Sequence, residues 1–213
     1  TQECFDVNVM GTLNIIEAAK QRSVKQFIFA STEWVYTEFG DTPKIESTEI
    51  DVQKIVSEYA LSKIISEQNL RQTHKENVFD ITILRFGIIY GPRMVAGSAV
   101  ENLFISVGKN ELITVGSKET ARQFLHVSDA ADAISAVIGT RGFNCFNVQG
   151  PNLISLQDVI DESSRIWDID AKVVELDPSS PSIRRVSGEK IHRALGWSAA
   201  IGLKDGLMTL RGG

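Results

Sequence analysis

Apolar residues alternate between two spacings along the first half of the chain. Residues 5–16 carry them at helical spacing, and residues 24–30 form a short apolar run between polar neighbours. The same order then repeats, with helical spacing over 55–71 and an apolar run over 81–89. Short runs without a polar face are typical of strands buried on both faces of a parallel sheet, with helices as the crossovers. The pattern therefore predicts an α/β fold.

The second half of the chain alternates less regularly and predicts shorter elements. We expect helices over 100–107, 130–138 and 155–167, strands over 112–115, 123–127, 143–148 and 172–176, a polar loop over 31–52, and two short terminal helices opened by Ser187 and Ile201. This mixture favours a smaller region of mixed helices and strands after the parallel sheet.

Composition excludes several classes of protein. Of 213 residues, 43% are hydrophobic and 23% charged, as in ordinary globular proteins. The net charge of -5 gives no general attraction to nucleic acid or to an anionic membrane. An apolar run of about 20 residues, long enough to cross a bilayer, is missing from the sequence.

Cysteine and histidine usage points to a reducing compartment. Cys4 and Cys145 are far apart and form no CxxC pair, and the three histidines are isolated. We therefore expect two reduced thiols, no metal site and a cytoplasmic location.

The segment Tyr59-Ala60-Leu61-Ser62-Lys63 places a phenol and an amine at positions i and i+4 of a predicted helix. A nearby ammonium together with a cationic nicotinamide favours the phenolate, which can take a proton from a substrate hydroxyl as hydride leaves the carbon. An exposed Tyr and Lys on a solvated helix face would give the same spacing.

Two hydroxyl side chains end the first predicted strand. Ser31 and Thr32 follow the apolar run directly. Ligands of open α/β sheets bind at the carboxyl ends of the strands, so these hydroxyls are candidates for a site shared with Tyr59 and Lys63. A simple strand-terminating turn is the alternative.

Seven segments, in order, resemble the extended short-chain dehydrogenase/reductase family, in its NAD-dependent nucleotide-sugar epimerase/dehydratase branch. They are Asn8–Asn14 (N-V-x-G-T-x-N), Phe27–Tyr36 (F-x-S-S/T-x-x-V-Y), Tyr59–Lys63 (Y-x-x-x-K), Leu84–Pro92 (L-R-x-x-N-x-Y-G-P), Arg122–Val127 (R-D-F-V-H-V), Phe146–Val148 (Y-N-V) and Leu195–Trp197 (L-G-W). The resemblance covers nearly the whole chain.

The resemblance implies a Rossmann-like parallel sheet whose N-terminal part is missing, with a smaller mixed α/β substrate-binding region. Residues 1–92 would form the C-terminal half of the dinucleotide-binding domain. Residues 93–213 would be mainly the substrate-binding region, with 123–149 returning to the Rossmann sheet. None of the sixteen glycines forms a GxGxxG loop. The family also implies a homodimer through the helices near Asn8 and Tyr59.

The family motifs assign roles to individual residues. Thr32, Tyr59 and Lys63 would be catalytic, with Tyr59 as the acid/base and Lys63 binding the nicotinamide ribose while it lowers the Tyr59 pKa. The expected cofactor is NAD, with NADP left open, and its pocket residues would be Ala30, Ser31, Tyr59, Lys63, Gly87 and Ile88. The expected substrate is a nucleotide-sugar or a related small molecule, and its contacts would be Thr32, Glu33, Arg122 and Arg185, with Arg184 as the alternative to Arg185.

Departures from the family pattern keep other functions open. The dehydratases carry Asp-Glu where this chain has Glu33 and Trp34, and the decarboxylases also carry a carboxylate at position 34. Because Trp cannot transfer a proton, dehydration is disfavoured and epimerisation through a keto sugar is preferred. Ile88 replaces a common Asn, which admits a carbonyl reductase or alcohol dehydrogenase. A non-catalytic binding protein that has lost cofactor binding is the third alternative.

Overall fold

A computed structural model describes residues 2–37, 40, 42–55, 57–95 and 97–211. The helices are α1 (Gln2–Phe5), α2 (Gly11–Gln21), α3 (Glu58–His74), α4 (Ala99–Gly108), α5 (Val127–Ala136), α6 (Leu156–Trp167), α7 (Glu189–Leu195) and α8 (Leu203–Leu210). The strands are β1 (Gln26–Thr32), β2 (Asp80–Phe86), β3 (Ile89–Tyr90), β4 (Leu112–Val115), β5 (Ala121–Arg122), β6 (Leu125–His126), β7 (Phe143–Val148), β8 (Ile154–Ser155) and β9 (Lys172–Glu175).

A three-stranded parallel sheet in the order β1-β2-β7 forms the centre of the first region. The middle strand β2 buries six of its seven residues, as expected for an apolar run with neighbours on both sides. The α/β fold with a parallel sheet that the sequence predicts is therefore confirmed.

The two faces of this sheet pack against different helices. Ile81 and Ile83 of β2 pack with residues of α2 and α3, while Leu84 and Phe86 pack with residues of α5 and α7. Successive side chains of a strand point to opposite faces, which explains this division. The helices thus cover β1 and β2 on both faces.

The second region has its own apolar core beside the sheet. Residues of α4, α6 and α8 pack there around Phe104, Val159 and Leu207, all of which are fully buried. Strands β4 and β9 pair in parallel, and β5 pairs with β8 in antiparallel. Within 123–149, β7 joins the central sheet through β2, whereas β6 pairs with β3 outside it.

Several element boundaries differ from those predicted from the sequence. The apolar run over 81–89 is divided into β2 and β3, with Gly87 between them. Position 87 needs a glycine, because a Cβ atom there would lie 2.6 Å from Gln149 Oε1 and 2.9 Å from the Gln123 carbonyl oxygen. Helix α3 begins at Glu58 rather than Ile55, with Ser57 as its N-cap. Val56, which belongs to the helix predicted over 55–71, lies outside the described residues.

The helix predicted from residue 130 begins three residues earlier, at Val127. His126 caps it, since its Nδ1 accepts a hydrogen bond from the backbone N–H of Ser128 at 3.3 Å. Because His126 ends β6, the strand predicted over 123–127 is shorter and separate from β5.

The first predicted helix is interrupted by a π-helical turn over Asp6–Met10. The loop predicted over 31–52 begins with regular structure. Its first two residues belong to β1, which ends at Thr32, and a 3₁₀ turn follows over Glu33–Val35.

A buried carboxylate organises the loop between β3 and α4. Glu101 is 2% exposed and accepts hydrogen bonds from the backbone N–H groups of Gly91, Gly97 and Ser98. Ser98 in turn accepts from Glu101 N, which completes a capping box. The Ser-x-x-Glu spacing was a visible signal for this helix start.

Across the described ranges, none of the helices is long and apolar enough to cross a membrane.

Candidate active site

A pocket of about 310 Å³ opens where β1 and β2 end, beside the first turn of α3. The strands are parallel, so their carboxyl ends meet at one edge of the sheet. The pocket is lined by Ala30, Ser31, Thr32, Trp34, Tyr59, Lys63, Phe86, Gly87, Ile88 and Ile89. All the residues that the sequence predicts for catalysis and cofactor binding are among them.

Tyr59 and Lys63 lie one turn apart at the beginning of α3. Lys63 Nζ is 5.8 Å from the centre of the Tyr59 ring and donates a hydrogen bond to the Ala30 carbonyl oxygen at 3.0 Å. This bond joins α3 to the end of β1. The amine and the phenol therefore face the same pocket from a fixed position.

Burial changes the acid–base properties of both groups. It raises the pKa of Tyr59, although a hydrogen bond with Thr32 opposes the rise, and it lowers the pKa of Lys63. The expected lowering of the Tyr59 pKa by Lys63 is thus not produced by the protein residues alone, because desolvation of the phenolate dominates. A cationic ligand ring in the pocket would act in the opposite direction and favour the phenolate.

Thr32 occupies the last position of β1 and is 5% exposed. Its Oγ1 accepts a hydrogen bond from Trp34 N at 3.2 Å, and its side chain also bonds with the Tyr59 side chain. A hydroxyl and a phenol thus converge on one point of the pocket wall. Two such groups can bind a single substrate oxygen together.

Ser31 connects the pocket to a buried polar network below it. Its Oγ donates to Glu67 Oε1 at 2.5 Å, and Glu67 accepts two further hydrogen bonds from Arg85, at 3.0 and 2.6 Å. Arg85 also donates to the hydroxyl of Tyr36 at 3.0 Å. The hydroxyl of Ser31 is therefore held by the protein, and this residue presents mainly its backbone to the pocket.

Sequence reasoning missed Glu67 and gave Arg85 no role. The available signal was a charged residue inside an apolar strand predicted to be buried on both faces. Such a residue needs a counter-charge, because an unpaired buried charge is costly.

A second charged group lies next to the pocket. Glu33 is 1% exposed, and its Oε1 is 3.5 Å from Arg184 Nη1. Burial raises the pKa of Glu33 against the opposing charges of Arg184 and Arg122. Burial and the neighbouring Arg184 lower the pKa of Arg122, whose guanidinium donates to the Ser182 carbonyl oxygen at 2.5 Å. Two guanidinium groups around one carboxylate can receive an anion.

The two consecutive arginines have different surroundings. Arg184 is buried, and its guanidinium lies 4.9 Å from the centre of the Trp34 ring. Arg185, the residue predicted from the sequence, lines a separate pocket with Pro43 and Gln123. The structure therefore places Arg184 with Glu33, and it does not bring Arg185 to them.

The lining of the main pocket includes small and apolar residues, among them Ala30, Gly87 and Ile88. An aromatic ring can pack against such a surface. Lys63 belongs to the same lining, and its amine can bind a hydroxyl-bearing group there. In the part of the chain that the structure describes, His, Cys, Asp and Glu form no group of three that could hold a metal ion.

Comparison with known proteins finds similar sequences along nearly the whole chain. UDP-glucuronic acid decarboxylase 3 of Arabidopsis thaliana is 28% identical over 207 residues, which cover 94% of this chain and 60% of the relative. UDP-glucuronate 4-epimerase of Thermodesulfobacterium geofontis is 26% identical over 206 residues, which cover 95% of this chain and 63% of the relative. The chain thus spans about three fifths of the length of these relatives.

A solved structure shows the same fold. UDP-glucuronic acid 4-epimerase from Bacillus cereus, in complex with NAD, superposes with a TM-score of 0.85 at 25% identity. The match covers 95% of this chain and 65% of that one.

The family assignment follows from a match over most of the chain. A family model described as "NAD dependent epimerase/dehydratase family" matches residues 1–151. This range includes β1, β2, α3 and the whole lining of the main pocket. This chain therefore belongs to the NAD-dependent epimerase/dehydratase family.

Proposed function

We propose that this chain carries the catalytic and substrate-binding part of an NAD-dependent nucleotide-sugar epimerase. The observation that supports it most directly is the meeting of Thr32, Tyr59 and Lys63 in one pocket at the end of β1. The solved relatives include proteins in complex with UDP-glucose, UDP-glucuronic acid and NAD.

In the proposed reaction, Tyr59 acts on the substrate hydroxyl. Thr32 holds the hydroxyl oxygen, and the Tyr59 phenolate takes its proton, so that the O–H electron pair forms the new C=O bond. NAD, when bound, would accept hydride from the substrate carbon and return it. After the keto sugar turns over, Tyr59 gives the proton back to the oxygen, and the product differs only in configuration at that carbon.

Lys63 and the arginines have supporting roles in this proposal. Lys63, anchored to the Ala30 carbonyl, binds the ribose next to the nicotinamide. Arg122 and Arg184, whose charges both act on Glu33, receive the diphosphate of the nucleotide-sugar. Arg184, the alternative to Arg185, is preferred for this role in the proposal because it lies 3.5 Å from Glu33.

Position 34 favours epimerisation over the reactions of other relatives. Trp34 carries no titratable group, so it supplies neither the additional acid for dehydration nor a carboxylate for decarboxylation. The apolar Ile88 in the same pocket supports a second candidate, a carbonyl reductase acting on small ketones.

The replacement Tyr59→Phe tests the proposed role directly. In the intact protein with NAD, we expect epimer formation from a UDP-sugar to fall about 10²–10⁴-fold, the usual contribution of a general acid–base group. NAD affinity should stay within about threefold, which is a small change in binding free energy. Chromatography of the nucleotide-sugars measures turnover, and calorimetry measures binding.

Tyr90→Phe is the matched control, because it removes a phenol hydroxyl that lies outside the pocket, next to Gly206. Turnover of Tyr59→Phe within twofold of wild type would remove Tyr59 from the acid/base role. Reduction of small ketones without any epimer formation would select the carbonyl reductase instead.

A further inference from the structure

Three side chains of α3 contact the end of β1. Tyr59, Lys63 and Glu67 are spaced four residues apart, so they follow one another along the same side of the helix. Each of them bonds with one of the last three residues of the strand, 30–32. The placement of the helix against the strand therefore depends on these three contacts together.

Glu67 is the buried member of this set. It is 1% exposed, and its carboxylate accepts a hydrogen bond from Ser31 Oγ at 2.5 Å and two from Arg85 at 3.0 and 2.6 Å. Ser31 and Arg85 are partners in the pairing of β1 with β2. One carboxylate of α3 thus connects the helix to the ends of both strands that border the main pocket.

Tyr59 lies at the other end of the set, in the first turn of α3, and is 43% exposed. Its side chain bonds with that of Thr32. Because Thr32 Oγ1 already accepts a hydrogen bond from Trp34 N, the Thr32 O–H can be donated to the Tyr59 oxygen. This bond joins the helix to the strand, so its length depends on how the two are held together.

We infer that Glu67 is a positioning residue, which holds α3 against the ends of β1 and β2 and so sets the distance between the Tyr59 phenol and the Thr32 hydroxyl. Glu67 is not among the residues that line the pocket, and it acts through Ser31. The inference rests on the proposed function, because the distance matters for two groups that bind one substrate oxygen. A displacement of about 1 Å in such a site can reduce turnover about 10²-fold.

Ser31→Ala tests the contact between Glu67 and β1 without breaking the ion pair. It removes the Ser31 hydroxyl and leaves both hydrogen bonds from Arg85 to Glu67. In the intact protein with NAD, and with UDP-glucose and UDP-glucuronic acid as probes, we expect kcat to fall about tenfold to a hundredfold. KM should change by less than about threefold, since Arg122 and Arg184 lie on other segments. Ser31→Thr, which keeps the hydroxyl, should restore most of kcat.

Ser66→Ala is the matched control, because it removes another buried hydroxyl of α3. Ser66 Oγ bonds with the carbonyl oxygens of Asn8 and Ser62 rather than with β1. Its kcat should stay within about twofold of wild type. A fall as large as that of Ser31→Ala would show a general effect of packing around α3 and would overturn the inference.

A double variant separates positioning from stability. Arg85→Met/Glu67→Leu replaces the ion pair with an apolar pair, so it should stay folded, but it lacks the contact with Ser31. It should therefore show the reduced kcat of Ser31→Ala. Urea unfolding verifies that each variant is folded, and a wild-type kcat in the folded double variant would remove Glu67 from the positioning role.

A titration of the Tyr59 phenol provides a readout that does not require turnover. The difference in tyrosinate absorbance between each protein and its Tyr59→Phe counterpart isolates this group. The hydrogen bond with Thr32 lowers the pKa of Tyr59. Lengthening that bond should therefore raise the pKa in Ser31→Ala and leave it unchanged in Ser66→Ala.

The outcomes distinguish this inference from the proposed function. A wild-type kcat in Ser31→Ala, or an unchanged pKa of Tyr59, overturns the inference and leaves the epimerase proposal standing. If the wild type forms no epimer from either probe, the epimerase proposal fails, and the titration alone decides whether Glu67 positions Tyr59.

Discussion

Two buried ion pairs of the same residue types behave differently in this protein. In each, the arginine side chain is 4% exposed and the glutamate side chain 1% exposed. Arg85 and Glu67 approach to 2.6 Å and share two hydrogen bonds, whereas Arg184 and Glu33 are 3.5 Å apart. Equal burial therefore does not mean equal interaction.

The pKa shifts of the two arginines have opposite directions. Burial disfavours the charged form of both, but the hydrogen bonds and charge of Glu67 outweigh that penalty and raise the pKa of Arg85. At Arg184 burial dominates over Glu33, and the pKa is lowered. The first pair stabilises the sheet below the pocket. In the second, beside Arg122 and Trp34, burial shifts the pKa of both partners toward the neutral form, and perturbed pKa values are common where a protein binds a ligand.

Breaking the first pair should have the largest effect on stability. Arg85→Met leaves Glu67 charged, buried and without its main partner, and we expect the free energy of unfolding to fall by about 3–5 kcal/mol. Urea denaturation measures the change. The double variant Arg85→Met/Glu67→Leu is the control and should recover much of the loss, because an apolar pair needs no counter-charge. A loss below about 1 kcal/mol in the single variant would contradict a structural role.

Glu101 sharpens the comparison, since it is a buried carboxylate bonded mainly to backbone. Burial alone would raise its pKa, but the N–H groups of Gly97, Ser98 and Gly91, together with the guanidinium of Arg93 at 2.6 Å, outweigh that effect and lower it. Glu101→Gln should cost about 1.5–3 kcal/mol at neutral pH, the range for hydrogen bonds to a charged group. Urea denaturation at several pH values measures this.

The pH dependence at Glu101 has a definite sign. A lowered folded-state pKa gives stability that is present above the unfolded pKa and is lost as pH falls through the folded pKa. The difference between wild type and Glu101→Gln should therefore shrink toward acid. A constant difference across that range would show that the charge of Glu101 contributes nothing.

Glu33→Gln should have the smallest effect and the opposite dependence on pH. Because the folded-state pKa of Glu33 is raised, its contribution to stability is greatest below the unfolded pKa and declines as pH rises through the folded pKa. We expect the variant to differ from wild type by no more than about 1 kcal/mol in acid and to gain relative to it toward neutral pH. Denaturation curves of both proteins at matched pH measure this. If Glu33→Gln instead lowered the free energy of unfolding by about 3–5 kcal/mol, as expected for Arg85→Met, the two ion pairs would contribute equally to stability.

The sequence was sufficient for the central fold and for bringing Tyr59 and Lys63 to the end of β1. Apolar runs identified β1 and β2, and the spacing of Tyr59 and Lys63 placed both on one helix beside the end of β1. These predictions depend on local periodicity and on the rule that parallel strands end at one edge. The roles of the residues, and the homodimer, remain predictions.

Features that depend on long-range pairing were not predictable in this way. Glu67 reaches Arg85 from another element, and no local pattern connects them. Arg184 and Arg185 are adjacent in an extended segment, where successive side chains point to opposite sides, so a shift of one position exchanges their surroundings. Only the packing of that segment decides which arginine meets Glu33.

The tight contact at Gly87 has a consequence for how this pocket can change over time. Its backbone is pressed against Gln149 and Gln123, so any larger residue at position 87 would displace the chain. Trp34 lines the same pocket, but its side chain is 43% exposed, so a change of side-chain size there displaces little of the fold. Divergence toward new substrates, in nature or in a directed-evolution library, should therefore occur at position 34 while position 87 stays constant.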